Sequence, residues 1–157
     1  MAHGNLAAPL AMTGKTDEAE QSLNTAVDLY RRKGVNPASL ANSYANLASA
    51  FARQQRFDKA AASLKKVLEF APDKADSRAN YALALYLQGK LSDARLEIDR
   101  AIKQNPEQAE SHNILGMIML KQSDTAGAVT HFERALQLRP DYKEAKDNLD
   151  KARSGTR

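Results

Sequence analysis

Apolar residues along this chain recur at helical spacing and are interrupted by short polar stretches. Leu47, Ala48 and Phe51 stand at positions i, i+1 and i+4, so they share one face of a helix. A second apolar stripe follows the polar residues 54–56 and has members at i, i+4, i+7 and i+8. Its members are Ala60, Leu64, Val67 and Leu68. The pattern predicts two antiparallel helices that are joined by a short turn.

This helix pair recurs at intervals of 34 residues. A small residue lies near the start of each second helix, at Ala60, Ala94 and Ala128. A proline closes each unit, at Pro72, Pro106 and Pro140. Small side chains let two helix axes approach closely, and proline cannot continue a helix but is well placed near the start of the next. The sequence therefore predicts tandem units over residues 41–74, 75–108 and 109–142.

The units resemble the tetratricopeptide repeat family, whose 34-residue period and helix–turn–helix pattern they share. The best-matching unit covers residues 109–142 and carries Leu115, Gly116, Ala128, Phe132, Ala135 and Pro140. The resemblance implies an all-α fold, namely an α-solenoid in which helix pairs stack into a superhelix. Because it covers most of the chain, we expect a single domain over residues 1–157.

Both ends of the chain depart from the regular pattern. Residues 3–36 fit a further unit imperfectly, because seven extra residues around positions 30–37 separate it from the next unit. Its first helix carries Leu6 and Leu10 without a polar cap. We therefore expect an exposed apolar end that meets earlier repeats or a second copy of the chain. Residues 143–153 combine a thin apolar face with a polar remainder, which predicts a helix that caps the array.

In the family that the chain resembles, the first helices of successive units line a concave groove. The resemblance assigns six positions of each first helix to that wall, and the candidate site is drawn from the residues at these positions. These candidates are Asn42, Asn46, Ser49, Arg53, Asp76, Asn80, Leu83, Tyr86, Leu87, Glu110, Asn113, Met117, Leu120 and Lys121. The charged members would orient a partner more than hold it.

Asparagines occupy one groove position in several units. Asn46 and Asn80 are equivalent residues of adjacent units, Asn5 and Asn148 fall at the same position of the flanking units, and Ile114 interrupts the row. An amide side chain offers both donors and an acceptor, so such a row could hold the backbone of an extended peptide. The alternative is that asparagine is simply common at this position of the family.

Apolar residues form a second group among the candidates. They are Leu83, Tyr86, Leu87, Met117 and Leu120. If they are exposed, their combined surface is larger than a monomer needs and marks a binding site. The alternative is that these side chains pack beneath the neighbouring repeat, and the sequence leaves both interpretations open.

The candidate positions do not carry the carboxylate clamp with which some members of this family bind the C-terminal tails of chaperones. That clamp needs lysine, asparagine or arginine at the positions of Ala45, Ser49, Glu110 and Ile114. The carboxylate of Glu110 would also repel a terminal carboxylate. We therefore expect no chaperone-tail binding of this type.

Charge and composition remove several classes of function. The net charge is +4, from 23 basic and 19 acidic residues that are interspersed, so we expect no nucleic-acid partner. Cysteine is absent, which excludes disulfides and thiolate metal sites. No apolar run approaches the roughly 20 residues that span a bilayer, so we expect a soluble chain without a membrane partner. The compartment stays open, with the cytoplasm slightly favoured.

Catalytic and cofactor chemistry is not expected. Gly14-Lys15-Thr16 resembles the end of a phosphate-binding loop, but Pro9 stands where that loop needs a glycine. None of the histidines forms the i, i+4 pair of a helical zinc site. They are His3, His112 and His131, of which we expect His112 to be half-buried and His131 to be exposed. We predict no enzyme activity, no cofactor and no metal.

The sequence thus predicts a non-catalytic interaction module or scaffold that takes an extended or short helical peptide in its groove. Two alternatives remain open. One is an assembly domain that forms a homodimer through the uncapped first helix, and the other is an accessory segment of a larger enzyme. The predicted partner is a protein or peptide, and the sequence does not identify it.

Overall fold

The computed structural model of the protein describes residues 15–33 and 37–155, and every regular element in these residues is a helix. The helices are α1 (Thr16–Lys33), α2 (Pro37–Arg53), α3 (Phe57–Phe70), α4 (Ala75–Leu87), α5 (Leu91–Gln104), α6 (Ala109–Lys121), α7 (Thr125–Leu138) and α8 (Lys143–Ser154). The predicted all-α class is confirmed for this part of the chain. The predicted first helix, with Leu6 and Leu10, lies outside the described residues, so the homodimer stays a prediction.

The chain divides into two compact units, residues 1–77 and residues 78–157, and the division falls within α4. The helices follow the predicted pairs, because α2 and α3, α4 and α5, and α6 and α7 are each joined by a turn of three residues. The N-terminal unit contains α1, α2 and α3, and the C-terminal unit contains most of α4 together with α5 to α8.

The core of the N-terminal unit is formed by α1, α2 and α3. Its fully buried members include Leu23 of α1, Leu47 and Phe51 of α2, and Val67 of α3. The Tyr44 hydroxyl, which reaches from the same core, donates a hydrogen bond of 3.1 Å to Oδ1 of Asn24. The repeated apolar positions of the sequence are therefore those that the fold removes from water.

An ion-pair network joins α1 to the beginning of α3. Oδ1 of Asp17 lies 2.8 Å from Nη2 of Arg56 and 2.7 Å from Nζ of Lys59, which also lies 3.0 Å from Glu20. Hydrogen bonds from Arg56 and then from Lys59 hold the pKa of Asp17 at about 2. Both cations also lie over the ring of Phe51, so the network closes the edge of the N-terminal core.

The C-terminal unit has two apolar clusters. The first joins α4, α5 and α6 around Ala94, Ile98 and Ile118, which are fully buried. The second joins α7 and α8 through Phe132 and Leu149. The predicted packing face of α8 is buried, whereas Lys146, Asp147, Asp150 and Lys151 are exposed.

The three turns between paired helices share one backbone conformation. Gln55, Gly89 and Ser123 occupy the same place in successive turns and have φ angles of 58°, 77° and 67°. This left-handed region suits glycine and is strained for residues with a side chain. Each turn thus ends its first helix in the same way, although only one of the three residues is a glycine.

Candidate functional site

An open groove of about 500 Å³ lies in the C-terminal unit. Its walls are α4, α6 and α8, with Tyr142 immediately before α8. The lining residues are Asn80, Leu83, Glu110, Asn113, Ile114, Met117, Tyr142, Glu144, Asp147, Asn148 and Lys151. Two of these helices, α4 and α6, are the first helices of predicted pairs, in which the family resemblance placed the candidate positions.

Five of the predicted site residues meet in this groove. Asn80 of α4 is exposed, and Leu83 lies one turn further along the same helix and is half-buried. Glu110, Asn113 and Met117 of α6 line the same groove. Spacings of three and four residues put these side chains on one face of their helix. The groove therefore combines an exposed amide with a partly apolar lining.

The amide of Asn113 is tied into the wall of the groove. Its Oδ1 accepts a hydrogen bond of 3.0 Å from Nδ2 of Asn148, and its own Nδ2 lies 3.4 Å from the Tyr142 hydroxyl and 3.8 Å from Sδ of Met117. The side chain is only 4% exposed. Asn113 thus links α6 to α8 and fixes the position of Asn148, which is itself half-buried at the groove surface.

A second link in the groove wall is an ion pair between α6 and the segment that precedes α8. Glu110 forms an ion pair with Arg139, whose guanidinium carbon lies 4.1 Å from the centroid of the Tyr142 ring. Burial, followed by the nearby Glu110 carboxylate, raises the pKa of Tyr142, so its phenol stays protonated at neutral pH. The charge that was expected to repel a terminal carboxylate is therefore largely compensated by Arg139 within the wall.

The predicted apolar residues are divided between groove and core. Leu83 and Tyr86 pack against the cluster of α4, α5 and α6, and Met117 and Leu120 pack against the cluster of α7 and α8. Leu87 is 45% exposed. Packing beneath neighbouring elements, the alternative that the sequence left open, thus accounts for part of this set. Tyr86, Leu87, Leu120 and Lys121 lie outside the groove lining.

The remaining candidates belong to the N-terminal unit or to its boundary. Asn42, Asn46, Ser49 and Arg53 lie along one exposed face of α2, and Asp76 is exposed in the first turn of α4. Oδ1 of Asn42 accepts a bond of 2.7 Å from Nζ of Lys74, and the Ser49 hydroxyl donates to the carbonyl of Ala45. Asn46 and Asn80 belong to different units, so a continuous row of amides stays a prediction.

Sequence reasoning missed two parts of this region. Four residues of α8 line the groove, and of these the sequence had placed only Asn148 at a groove position; the others are Glu144, Asp147 and Lys151. The spacing of all four, by three, one and three residues, is a polar stripe that could have been found in the sequence. The second is a contact between His112 and His131. His131 is half-buried rather than exposed as expected, and His112 is buried rather than half-buried.

Residues 15–33 and 37–155 contain no group of three or more histidine, cysteine, aspartate or glutamate side chains that could hold a metal ion. In the same part of the chain, no helix combines the length and the apolar character that crossing a bilayer requires. What the groove offers chemically is hydrogen bonding from amides, a hydroxyl and charged groups beside an apolar surface.

Solved structures resemble this chain closely in fold and distantly in sequence. A crystal structure of MamA protein gives a TM-score of 0.81 at 16% identity, over 98% of this chain and 80% of that one. The first TPR of Spaghetti (RPAP3), bound to HSP90 peptide SRMEEVD, gives a TM-score of 0.69 at 21% identity, over 74% of this chain and 92% of that one. The Sgt2 TPR domain from Aspergillus fumigatus gives a TM-score of 0.70 at 18% identity, over 74% of this chain and 78% of that one. These likenesses confirm the predicted α-solenoid class.

Sequence comparison agrees with the fold. No curated protein matches the chain. Three family models, each described as tetratricopeptide repeat, match residues 1–73, 51–118 and 109–142, and together they extend from residue 1 to residue 142. The chain belongs to the tetratricopeptide repeat family.

Proposed function

We propose that the protein is a non-catalytic interaction module that holds an extended segment of a partner protein in the groove between α4, α6 and α8. The observation that carries this proposal is that the amides of Asn80 on α4 and Asn148 on α8 line the same groove as the apolar residues Leu83, Ile114 and Met117. Amides can bond to both the C=O and the N–H of a backbone, and the apolar residues offer a surface for one side chain.

The dimensions of the groove favour an extended segment. Packed helices lie about 8–10 Å apart, and an extended chain rises about 3.3 Å per residue, so crossing from α4 to α8 takes about six residues. The likeness to a TPR that is bound to a peptide supports this mode of binding.

The charges around the groove disfavour a terminal carboxylate as the anchor. Besides Glu110, whose charge Arg139 compensates, the carboxylates of Glu144 and Asp147 line it together with the ammonium of Lys151, which leaves an excess of negative charge. Arg139 is engaged by Glu110 and by the ring of Tyr142. The bound segment is therefore an internal stretch of the partner chain rather than an acidic C-terminal tail.

The proposal is tested with a phage-displayed library of random octapeptides, followed by fluorescence anisotropy of the selected peptides. We expect the protein to select peptides, and Asn80→Ala to weaken their binding about two- to tenfold, because one hydrogen bond contributes about 0.5–1.5 kcal/mol. Gln137→Ala removes an exposed amide of α7 and should leave the affinity unchanged. Failure to select any peptide, or equal affinity of the Asn80 variant, would contradict the proposed site.

A further inference from the structure

Two histidines join α6 to α7 away from the groove lining. Nδ1 of His112 lies 3.1 Å from Nδ1 of His131, and the ring planes differ by 17°. The ring centroids are 5.4 Å apart. This distance exceeds the nitrogen–nitrogen distance by about twice the distance from the centre of an imidazole ring to one of its atoms. The two nitrogens therefore lie on the line between the rings and face each other head on. His112 is 7% exposed and His131 is half-buried.

The second nitrogen of His112 fixes how many hydrogens the pair can hold. Nε2 of His112 lies 3.0 Å from the carbonyl oxygen of Pro106, and because a carbonyl only accepts, this nitrogen carries a hydrogen. Neutral His112 then presents a lone pair at Nδ1, so Nδ1–H of His131 is the donor in the contact between the rings. The space between the two Nδ1 atoms holds one hydrogen.

A first additional proton can be placed on Nε2 of His131 without breaking either bond. A second additional proton would sit on Nδ1 of His112, against the N–H of His131, and would put two cations 3.1 Å apart. A metal ion does not fit in place of the hydrogen, because half of this separation is shorter than a Zn–N bond of about 2.0–2.1 Å. The head-on geometry is thus specific for a shared hydrogen.

Charged side chains on neighbouring elements shift the pKa of His131 in both directions. Arg95 and Asp99 belong to α5, and Asp124 immediately precedes α7. Burial, then the His112 ring, then Arg95 lower the pKa of His131, and these effects outweigh the opposing influence of Asp99 and Asp124. Protonation of His131 is therefore less favourable in the folded chain than in the unfolded one.

We propose that His112 and His131 form a proton-sensitive latch that holds α6 against α7 at neutral pH and is released by acid. Each of the two histidines binds a proton below a pKa of about 6.5 in the unfolded chain, whereas the folded pair can take only one additional proton while the contact between the rings is intact, so the unfolded chain binds more protons below this pH. The latch contribution to stability is present above about pH 6.5 and is lost as the pH falls below it. The latch is independent of whether the groove binds a peptide.

Urea denaturation at pH 7.5 and pH 5.5 tests the latch. We expect the unfolding midpoint of the wild-type protein to fall on acidification, and His131→Gln to lose at least half of that fall, because glutamine can donate to Nδ1 of His112 but cannot titrate. The matched control is His3→Gln, which removes the other histidine and should keep the wild-type response. Equal acid sensitivity of His131→Gln and the wild type would overturn the proposal.

Nitrogen-15 NMR of the imidazole rings in the wild-type protein provides a second measurement that does not depend on any variant folding. At pH 7.5 we expect the Nε2–H tautomer for His112 and the Nδ1–H tautomer for His131. The same tautomer in both rings, or two independent titrations near pH 6.5, would show that no hydrogen is shared.

Discussion

At the scale of single residues, the paired helices α6 and α7 meet through side chains of complementary size. Position 116 of α6 is a glycine, and a Cβ placed there would lie 2.6 Å from Cε1 of Phe132. The equivalent pairs in the other units are Ala48 with Leu64 and Ala82 with Ile98. The smallest residue thus faces the largest one, which keeps the spacing between the paired helices similar from unit to unit.

This complementarity predicts that Gly116→Ala destabilises the fold. Alanine in place of glycine within a helix gains about 1 kcal/mol, but overpacking costs about 1–3 kcal/mol. Because the Phe132 ring is fully buried and contacts the site directly, we expect overpacking to win and the free energy of unfolding to fall by up to about 2 kcal/mol. Urea denaturation followed by circular dichroism measures the change.

A double-mutant cycle provides the control. In a Phe132→Leu background, Gly116→Ala gives the paired helices the same two residue types as Ala48 and Leu64 in the first regular repeat. The substitution should therefore be neutral or stabilising there. A loss of the same size in both backgrounds would mean that the ring of Phe132 is not the cause.

Single residues also mark the limit of what the sequence reveals. The recurrence of small and bulky apolar residues identified the buried positions, because helix packing constrains size at fixed spacing. The latch between His112 and His131 could not be found in this way. It depends on the carbonyl of Pro106, which selects one tautomer, and a backbone oxygen leaves no trace in the residue pattern.

At the scale of elements, the turns between paired helices require a positive φ angle that the residue types do not indicate. Gln55, Gly89 and Ser123 all adopt positive φ, yet only Gly89 is a residue whose type indicates it. The 34-residue alignment places the other two at the same position, so the backbone conformation follows from the repeat rather than from the local sequence.

We therefore predict that Ser123→Gly stabilises the protein. A left-handed conformation costs a residue with a side chain about 1–2 kcal/mol, and the greater freedom of glycine in the unfolded chain returns about 0.4–1 kcal/mol of this, so we expect a net gain of about 0.5–1 kcal/mol. The reciprocal change is Gly89→Ser, which should lose a similar amount, because a Cβ at Gly89 contacts nothing within 4 Å. Urea midpoints that move together in the same direction would refute this account.

The elements also explain which part of the groove was predictable. Positions on α4 and α6 were assigned by their place in the repeat, and five of these residues line the groove. Of the wall formed by α8 only Asn148 was assigned, because this helix was interpreted through its apolar face, which packs on α7, while the rest of its polar stripe was assigned to solvent. A capping helix can carry both roles, since opposite faces meet different surroundings.

At the scale of the whole molecule, α8 links the stability of the C-terminal unit to its candidate function. Its inner face buries Ala145, Leu149 and Ala152, and its outer stripe completes the groove. Removing residues 143–157 would expose the surface around Phe132 and delete one groove wall. We expect the free energy of unfolding of the C-terminal unit to fall by about 3–5 kcal/mol, since losing one buried leucine alone costs about 2–5 kcal/mol.

Leu149→Ala separates the two consequences of that truncation. This variant keeps the residues of α8 that line the groove and should lower the free energy of unfolding by about 2–4 kcal/mol, while the peptide affinity of the folded fraction stays near that of the wild type. Ending the chain at residue 155 is the matched control and should change neither property. Loss of peptide binding in Leu149→Ala at a temperature where the variant is fully folded would show that packing within α8, rather than its polar stripe, determines recognition.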